Sequence, residues 1–197
     1  LNMGCRAMTK STLNVHAGHD DYHCVDDSGF FQVFGKSAQE VCDLNIMSHR
    51  IAEMSLTPGI CAQDGFLTTH LIESLMLPER DLIAEYLGRP DDIIDTPTPA
   101  QKILYGPRRR RIPELWTVDN PVMVGVVQNQ DSYMKGKIAQ RHFYDQVPAA
   151  VQEAMDLYYA KTGRRYRMVD TYRMDDAEYA LVGMGGMMET AQAAADY

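Results

Sequence analysis

Short apolar segments alternate with segments of helical spacing in the first half of the chain, and this order constrains the fold most strongly. Residues 30–34 (FFQVF) predict a strand, and Ser37 with Glu40 has the spacing of a capping box that begins a helix. Residues 60–63 predict the next strand, and residues 70–77 predict the next helix. A strand–helix–strand–helix order is typical of an α/β fold with a parallel sheet flanked by helices.

The helix that follows the capping box has one apolar face. Its apolar residues recur at intervals of three and four: Val41, Leu44, Met47, Ile51 and Met54. We expect this helix to end before Pro58.

Composition excludes several classes of protein. The 197 residues are 45% hydrophobic and 23% charged, ordinary values for a globular chain with one sizeable core. The formal net charge of −8 argues against non-specific nucleic-acid binding, and no apolar run is long enough to span a bilayer. The four cysteines form no C-x-x-C pair, so a reduced, cytoplasmic setting is expected. Because the chain begins with Leu1 and ends inside a helical pattern, we expect a longer polypeptide.

Residues 78–120 interrupt the alternation. They contain six of the nine prolines and predict an irregular excursion with one short helix at 79–87. The basic run at 108–111 is expected to lie on a solvated loop or on a loop with interdomain salt bridges.

Regular structure is expected again after this excursion. Residues 122–128 predict a strand, and a helix is expected from Val147 to a left-handed stop at Gly163. Residues 179–183 then predict a strand and 189–197 a helix, which together indicate the start of a second α/β domain.

A polar cluster follows the predicted strand Leu13–Ala17, and Arg6 precedes it. Binding sites of open α/β sheets lie where strands end, so residues 18–21 are a candidate site. The cluster is rich in groups that bind metals: His16, His19, Asp20, Asp21, His23 and Cys24. Its histidine spacing is not a standard ligand pattern, so a hydrogen-bonded turn beside an active site is favoured over a metal site.

Three further polar segments have open interpretations. Residues 64–70 (DGFLTTH) could bind an anion at a helix start or simply cap that helix. Residues 128–133 (QNQDSY) could bind a ligand or form an Asx-type turn. The glycine turn at 183–186 departs from the dinucleotide pattern G-x-G-x-x-G, since Met188 occupies the last position.

Together these segments resemble the pyruvate:ferredoxin (flavodoxin) oxidoreductases, within the thiamine-dependent 2-oxoacid:ferredoxin oxidoreductases. The resemblance covers nearly the whole chain apart from about residues 80–118. Its motifs are Arg6 nine residues before Val15, His-x-Asp (His19, Asp21), D-G-F-x-T-[ST]-H (64–70), G-x-x-Q-N-x-D-x-Y-x-x-G (125–136), Tyr144 with Val147-Pro148, T-G-R-x-Y (162–166) and G-x-G-[GS]-x-x-E-T (183–190).

The resemblance implies a fold and a reaction. Residues 1–172 would form the back part of a pyrimidine-binding thiamine domain, with a thiamine-diphosphate-binding-type parallel sheet. Residues 173–197 would be the first strand and helix of a transketolase C-terminal-like domain. The reaction implied is oxidative decarboxylation of pyruvate with coenzyme A to acetyl-CoA, with electrons passed to ferredoxin or flavodoxin.

The resemblance also implies roles for individual residues. Arg6 would bind the substrate carboxylate and Val15 would line the thiamine pocket. Further residues would line the site: His19, Asp21, Asp64, Thr68 and Asn129. No catalytic residue and no metal ligand is assigned to this chain.

The implied cofactors are thiamine diphosphate, Mg²⁺ and [4Fe-4S] clusters, and most of their ligands are expected outside this chain, which would therefore be inactive alone. A homo-oligomer is expected, without nucleic acid or membrane partners. Three alternatives remain: a related enzyme for 2-oxoglutarate or another 2-oxoacid, a non-catalytic scaffold paralogue, and a dinucleotide-binding protein that uses residues 183–186.

Overall fold

The computed structural model describes residues 1–8, 12–114, 118 and 127–197. Four strands form one sheet in the order β2-β1-β4-β3. Their bounds are Asn2–Met8 (β1), Leu13–Ala17 (β2), Phe31–Gly35 (β3) and Gly59–Asp64 (β4). The central strand β4 is parallel to both β1 and β3, whereas β2 is antiparallel to β1. The predicted α/β fold with a parallel sheet is therefore confirmed.

Strand β4 is buried on both faces because successive side chains of a strand point to opposite sides. Cys61 packs into the larger core beneath the helices. Ile60 and Ala62 pack into a smaller core on the other face, together with Cys5 and Tyr22. The carboxyl end of β4 therefore lies between two packed layers, which hold its last residue in place.

Helix α2 (Ala38–Ser55) begins as the capping-box spacing predicts. The Ser37 side chain accepts a hydrogen bond from the Glu40 backbone nitrogen at 3.3 Å. The Glu40 carboxylate accepts from the Lys36 nitrogen at 2.9 Å, one residue earlier than in the usual box. Three residues of the predicted face, Leu44, Met47 and Ile51, are buried in the larger core.

Helix α6 (Val147–Thr162) lies against α2, and a buried ion-pair network links them. Asp43 is 0% exposed and accepts from Tyr158, Tyr166 and Arg164, each at 2.6 Å. Burial alone would raise the pKa of Asp43, but the hydrogen bonds from Arg164 and the two tyrosines hold it below its usual value. The T-G-R-x-Y motif thus packs the helix layer together, and Gly163 has the predicted left-handed conformation with φ of 74°.

The helix predicted over residues 70–77 is wrong: no helix lies there. Long-range contacts use the backbone groups that such a helix would need. Gln39 of α2 binds the Met76 backbone twice, accepting from its nitrogen at 2.6 Å and donating to its oxygen at 3.2 Å. Glu73 accepts from the nitrogen of Ala38 at 3.0 Å, in the first turn of α2. The segment therefore lies against the start of α2 and satisfies one of its unpaired backbone donors.

The excursion at 78–120 is more regular than predicted. The expected short helix is present as α3, and a second helix and a two-stranded antiparallel ribbon follow it. Their bounds are Arg80–Leu87 (α3), Ile93–Asp95 (β5), Pro99–Tyr105 (α4) and Arg108–Arg110 (β6).

The basic run at 108–111 does not lie on a loop, since Arg108–Arg110 form β6. Its exposed members pair with carboxylates, Arg108 with Asp95 and Arg110 with Glu114, but Arg109 is buried. Arg109 is 4% exposed and donates to the Glu53 carbonyl at 2.8 Å and to Gln101 at 3.0 Å. Glu53 lies in the last turn of α2, where a cation is favoured by the helix dipole and by unpaired carbonyls. Arg109 thus fastens the excursion to the end of α2.

The remaining described elements are α5 (Gln130–Tyr144), α7 (Met187–Asp196), the single turn α1 (Asp20–His23) and a 3-10 turn at Asp26–Ser28. The strand predicted at 122–128 lies mostly outside the described residues. The strand predicted at 179–183 is wrong: it has no neighbouring strand in the described parts of the chain, and Val182 is 92% exposed. None of the described helices is long and apolar enough to cross a membrane.

Candidate functional site

The candidate site lies at the carboxyl ends of β1 and β4. Cys5 on β1 is in register with Asp64 on β4, and the Gly65 nitrogen donates to the Cys5 carbonyl at 2.7 Å. A Cβ on Gly65 would lie 2.5 Å from Cγ of Arg6, so the Arg6 side chain crosses directly over this glycine. Sequence analysis did not predict β1, although it selected Arg6, because this strand contains glycine and arginine among its apolar residues.

Arg6 is half-buried and held at two points. Its Nε donates to the Val15 carbonyl at 3.0 Å, and its backbone nitrogen donates to the Asp21 carboxylate at 3.0 Å. Within the described parts of the chain, no acceptor contacts its two terminal amino groups. The inner edge of the guanidinium is therefore anchored while its outer fork is available to an anion.

Val15 provides an uncovered apolar surface beside this cation. Its side chain lies on the outermost strand, β2, and is 54% exposed. The bond between its carbonyl and Arg6 fixes the distance between the guanidinium and this surface.

His19 and Asp64 form a contact that joins the two predicted clusters. Nε2 of His19 lies 2.9 Å from Oδ1 of Asp64, and the ring packs edge-on against Phe34 at 4.8 Å. The other Asp64 oxygen accepts from the Gly186 nitrogen at 2.5 Å. Buried Thr68 donates its backbone nitrogen to the Asp64 carbonyl at 3.2 Å. Three other predicted site residues therefore contact the end of β4: Arg6 at Gly65, and His19 and Thr68 at Asp64.

The Asp21 carboxylate contacts the backbone beside the Arg6 side chain. Besides the Arg6 nitrogen, it accepts from the Tyr22 nitrogen at 2.8 Å. The Cys5 thiol is hydrogen-bonded to Asp21, and burial and the charges of Asp21 and Asp64 raise the thiol's pKa to about 12. Sequence analysis missed Cys5, since only the pairing of β1 with β4 places it between these carboxylates.

The three histidines of the polar cluster have separate partners. The His16 ring packs against Phe66 at 4.8 Å, whereas His23 contacts Asp26 at 3.1 Å. Among the described residues, no group of three side chains suited to metal binding comes together. The backbone nitrogen of His23 donates to the His19 carbonyl at 3.0 Å, which is a hydrogen bond of the kind expected for this turn.

Asn129 is not brought to this cluster. It precedes α5, where its carbonyl accepts from the nitrogens of Ser132 and Tyr133 at 3.1 and 2.8 Å. No contact among the described residues joins it to Arg6 or Asp64. These contacts form a turn at residues 129–133, which is one of the two interpretations that the sequence analysis left open for this segment.

Comparison with known proteins places this arrangement in a family context. Residues 1–156 match the family model described as pyruvate flavodoxin/ferredoxin oxidoreductase, thiamine diphosphate-binding. The chain is 29% identical over its whole length to a pyruvate-flavodoxin oxidoreductase of Klebsiella pneumoniae and spans 15% of that protein. It is 24% identical to the pyruvate synthase subunit PorA of Pyrococcus abyssi, with 96% of this chain and 44% of the subunit covered.

A pyruvate:ferredoxin oxidoreductase of Moorella thermoacetica is 24% identical over the whole chain, which spans 16% of its length. The chain therefore spans about a sixth of the two long relatives and less than half of the PorA subunit. The family model covers well over half of the chain, including the whole sheet and the contacts of Arg6 and Asp64 within it. This chain belongs to the pyruvate flavodoxin/ferredoxin oxidoreductase family, in its thiamine diphosphate-binding part.

Proposed function

We propose that this chain is part of an enzyme that oxidatively decarboxylates pyruvate to acetyl-CoA and passes the electrons to ferredoxin or flavodoxin. Family membership and the names of the relatives support the reaction class. The observation that carries the proposal is the outer fork of Arg6, which has no acceptor among the described residues at the carboxyl end of a parallel sheet.

Arg6 would bind the substrate carboxylate. A guanidinium and a carboxylate are planar and pair through two parallel hydrogen bonds, which fixes orientation as well as position. The Nε bond to Val15 leaves both outer nitrogens for that pairing and prevents the side chain from swinging away. Holding the acid in one orientation supplies much of the rate of a reaction between bound partners.

Val15 would keep water from the bound acid. Its exposed methyl groups suit an apolar wall of a thiamine site, so the residues at this mouth fit one side of that cofactor. Thiamine diphosphate, when bound, supplies the electron sink for loss of carbon dioxide. A dry wall beside the acid favours this loss, because a carboxylate without water is less well solvated than one in solution.

The other components stay predictions from the resemblance. They include Mg²⁺, [4Fe-4S] clusters, coenzyme A, a homo-oligomer and a cytoplasmic location, with domains at 1–172 and 173–197.

The dinucleotide alternative is disfavoured by one contact. The Gly186 nitrogen points at the Asp64 carboxylate, whose negative charge would repel a phosphate at this turn.

The test replaces Arg6 by glutamine in the full-length protein that contains this chain. Loss of a charged hydrogen-bond pair costs about 1.5–3 kcal/mol, so the KM for pyruvate should rise about 10- to 100-fold. Reduction of a viologen dye under anaerobic conditions measures the rate, with pyruvate, 2-oxoglutarate and other 2-oxoacids as substrates. The acid that the wild type prefers identifies the substrate.

Arg89→Gln is the matched control, because the Arg89 side chain is 83% exposed and belongs to the excursion. It should leave KM and kcat unchanged. An unchanged KM in Arg6→Gln would refute the role of Arg6. A wild-type protein that binds thiamine but oxidises no 2-oxoacid would instead favour the scaffold alternative.

A further inference from the structure

The two supports of the Arg6 side chain belong to segments on either side of β1. The sheet order β2-β1-β4 places Val15 on one side and Gly65, directly after β4, on the other. The Arg6 Nε donates to the Val15 carbonyl, and a Cβ on Gly65 would lie 3.0 Å from the same nitrogen. The direction of the guanidinium therefore depends on how these two supports are held relative to each other.

The pairing of β1 with β2 does not by itself fix Val15. The register shifts there, so residues 14–16 of β2 lie opposite Ala7 alone. Regular pairing is lost at the extra residues of such a strand. The backbone nitrogen of His16 bonds to the Asn14 side chain, at 3.1 Å. Strand pairing therefore holds Val15 less firmly than it holds a residue of a regular strand.

An aromatic contact connects β2 with the turn after β4. The His16 ring meets the Phe66 ring edge-on, with the ring centroids 4.8 Å apart. His16 comes directly after Val15 in the chain. Phe66 likewise comes directly after Gly65. Edge-to-face pairs of rings are favourable beyond the area that they bury, so this contact links the two supports of Arg6 across the end of β1.

The segment DGFLTTH (64–70) holds Phe66 in an unusual backbone conformation. Its φ of 66° lies in the left-handed region, which a bulky residue adopts only when its surroundings enforce it. The Phe66 nitrogen donates to Oγ1 of Thr69 at 2.8 Å, and its carbonyl accepts from the His70 nitrogen at 3.2 Å. The His70 ring stacks on the Phe66 ring at 5.2 Å. This segment thus presents the Phe66 ring to His16 in a fixed orientation.

We propose that Phe66 is a positioning residue for 2-oxoacid binding, an inference that rests on the proposed function. Its ring holds His16 in place, and thereby the Val15 carbonyl that orients Arg6. The outer fork of the guanidinium is then aimed before the acid arrives, which reduces the cost of ordering it on binding. Phe66 acts through Arg6 and is assigned no contact with the acid.

The first test removes either ring in the full-length protein. His16→Ala changes an exposed side chain, and Phe66→Leu keeps an apolar side chain without a ring. The KM for the 2-oxoacid should rise about 2- to 10-fold in each variant, the worth of one aromatic pair, with a smaller change in kcat. The double variant should rise no further than the single variants, because both remove the same contact.

A second measurement needs no turnover. Hydrogen exchange of residues 13–17 should become about 2- to 10-fold faster in both variants, because β2 loses its link to the turn after β4. If Phe66→Leu does not fold, His16→Ala supplies both measurements.

Two further variants separate ring packing from charge and from general disturbance. His16→Phe keeps a ring without a titratable group, and it should restore the wild-type KM and exchange. His23→Ala is the matched control, because His23 is another exposed histidine of the polar cluster and contacts Asp26 instead. It should leave KM unchanged.

The last comparison tests whether the rings act through Arg6. In protein that carries Arg6→Gln, the added change His16→Ala should leave KM at the value that Arg6→Gln alone gives, because the guanidinium to be positioned is already absent. A further rise of the size seen in the wild-type background would overturn the proposal.

The outcomes separate this proposal from the proposed function. Wild-type KM in both His16→Ala and Phe66→Leu would overturn the positioning role and leave the proposed reaction intact. Equal effects of His16→Phe and His16→Ala would also overturn it, because the ring would then be irrelevant. A wild-type protein that oxidises no 2-oxoacid would refute the proposed function, whereas the exchange of residues 13–17 would still show whether the ring contact holds β2.

Discussion

Replacing Asp43 by asparagine tests whether the packing of α2 against α6 depends on one buried charge. The carboxylate accepts hydrogen bonds from five donor atoms, on Gln39, Tyr158, Arg164 and Tyr166. An asparagine keeps one acceptor oxygen and turns the other position into a donor that faces other donors. At least one tyrosine hydroxyl and one guanidinium contact are therefore lost.

The magnitude follows from these losses. An unsatisfied buried hydroxyl costs about 1–3 kcal/mol, and breaking a buried ion pair by removing one charge costs about 3–5 kcal/mol. Arg164 keeps 24% of its side chain exposed, so water compensates part of its loss. We expect the local opening free energy of α2 and α6 to fall by about 2–4 kcal/mol.

Native-state hydrogen exchange in the full-length protein measures this local free energy without requiring two-state unfolding. Asp156→Asn is the matched control, since Asp156 lies on α6 but is exposed. A loss below about 1 kcal/mol in Asp43→Asn would refute the reasoning. So would a loss of the same size in the control.

The same network predicts a pH dependence. The pKa of Asp43 is lowered in the folded protein, so its stabilisation is complete above the unfolded carboxyl's pKa of about 4. It is lost as the pH falls through the lowered folded-state value. The difference in opening free energy between the wild type and Asp43→Asn should therefore shrink below about pH 4, and a constant difference there would contradict this assignment.

Three further predictions concern other contacts. Arg109→Met should lower the local opening free energy of the excursion by about 1–3 kcal/mol, because it leaves carbonyls at the end of α2 unpaired. The exposed control Arg110→Met should not lower it, and hydrogen exchange at residues 99–105 measures both variants. Cys5 should react with a thiol reagent at pH 8 far more slowly than exposed Cys24, since burial raises its pKa to about 12; mass spectrometry of labelled peptides would reveal the opposite order. Gly163→Ala should cost about 1 kcal/mol from its left-handed φ alone, because no atom within 4 Å opposes a Cβ; a larger loss in denaturant melts would indicate an unseen clash.

Sequence analysis succeeded where a signal depends on neighbours along the chain. The capping box of α2, its apolar face, the left-handed stop at Gly163 and the strand Leu13–Ala17 all have this origin. The family motifs also selected residues at the end of β4 before any geometry was known. What these motifs could not supply was the pairing of β1 with β4, which places Arg6 and Cys5 beside Asp64.

The failures share one cause, which is competition from contacts distant in sequence. Residues 70–77 have a helical pattern, yet the Met76 backbone bonds to Gln39 of α2 and the Glu73 side chain accepts from the Ala38 nitrogen. The basic run looked solvated, yet Arg109 is buried against helix ends that only folding brings near. The strand predicted at 179–183 lacks a partner strand among the described residues, and a lone strand cannot satisfy its own backbone.

By itself, the sequence determined the fold class, the elements of local origin and the chemistry available at the mouth of the sheet. The tertiary structure alone decided that Asp64 links His19 to Gly186 and that, among the described residues, the outer fork of Arg6 has no acceptor. Local elements are encoded by interactions within a few residues, which a pattern reveals. A site assembled across 45 and 122 residues depends on strand register and packing, which no local pattern records.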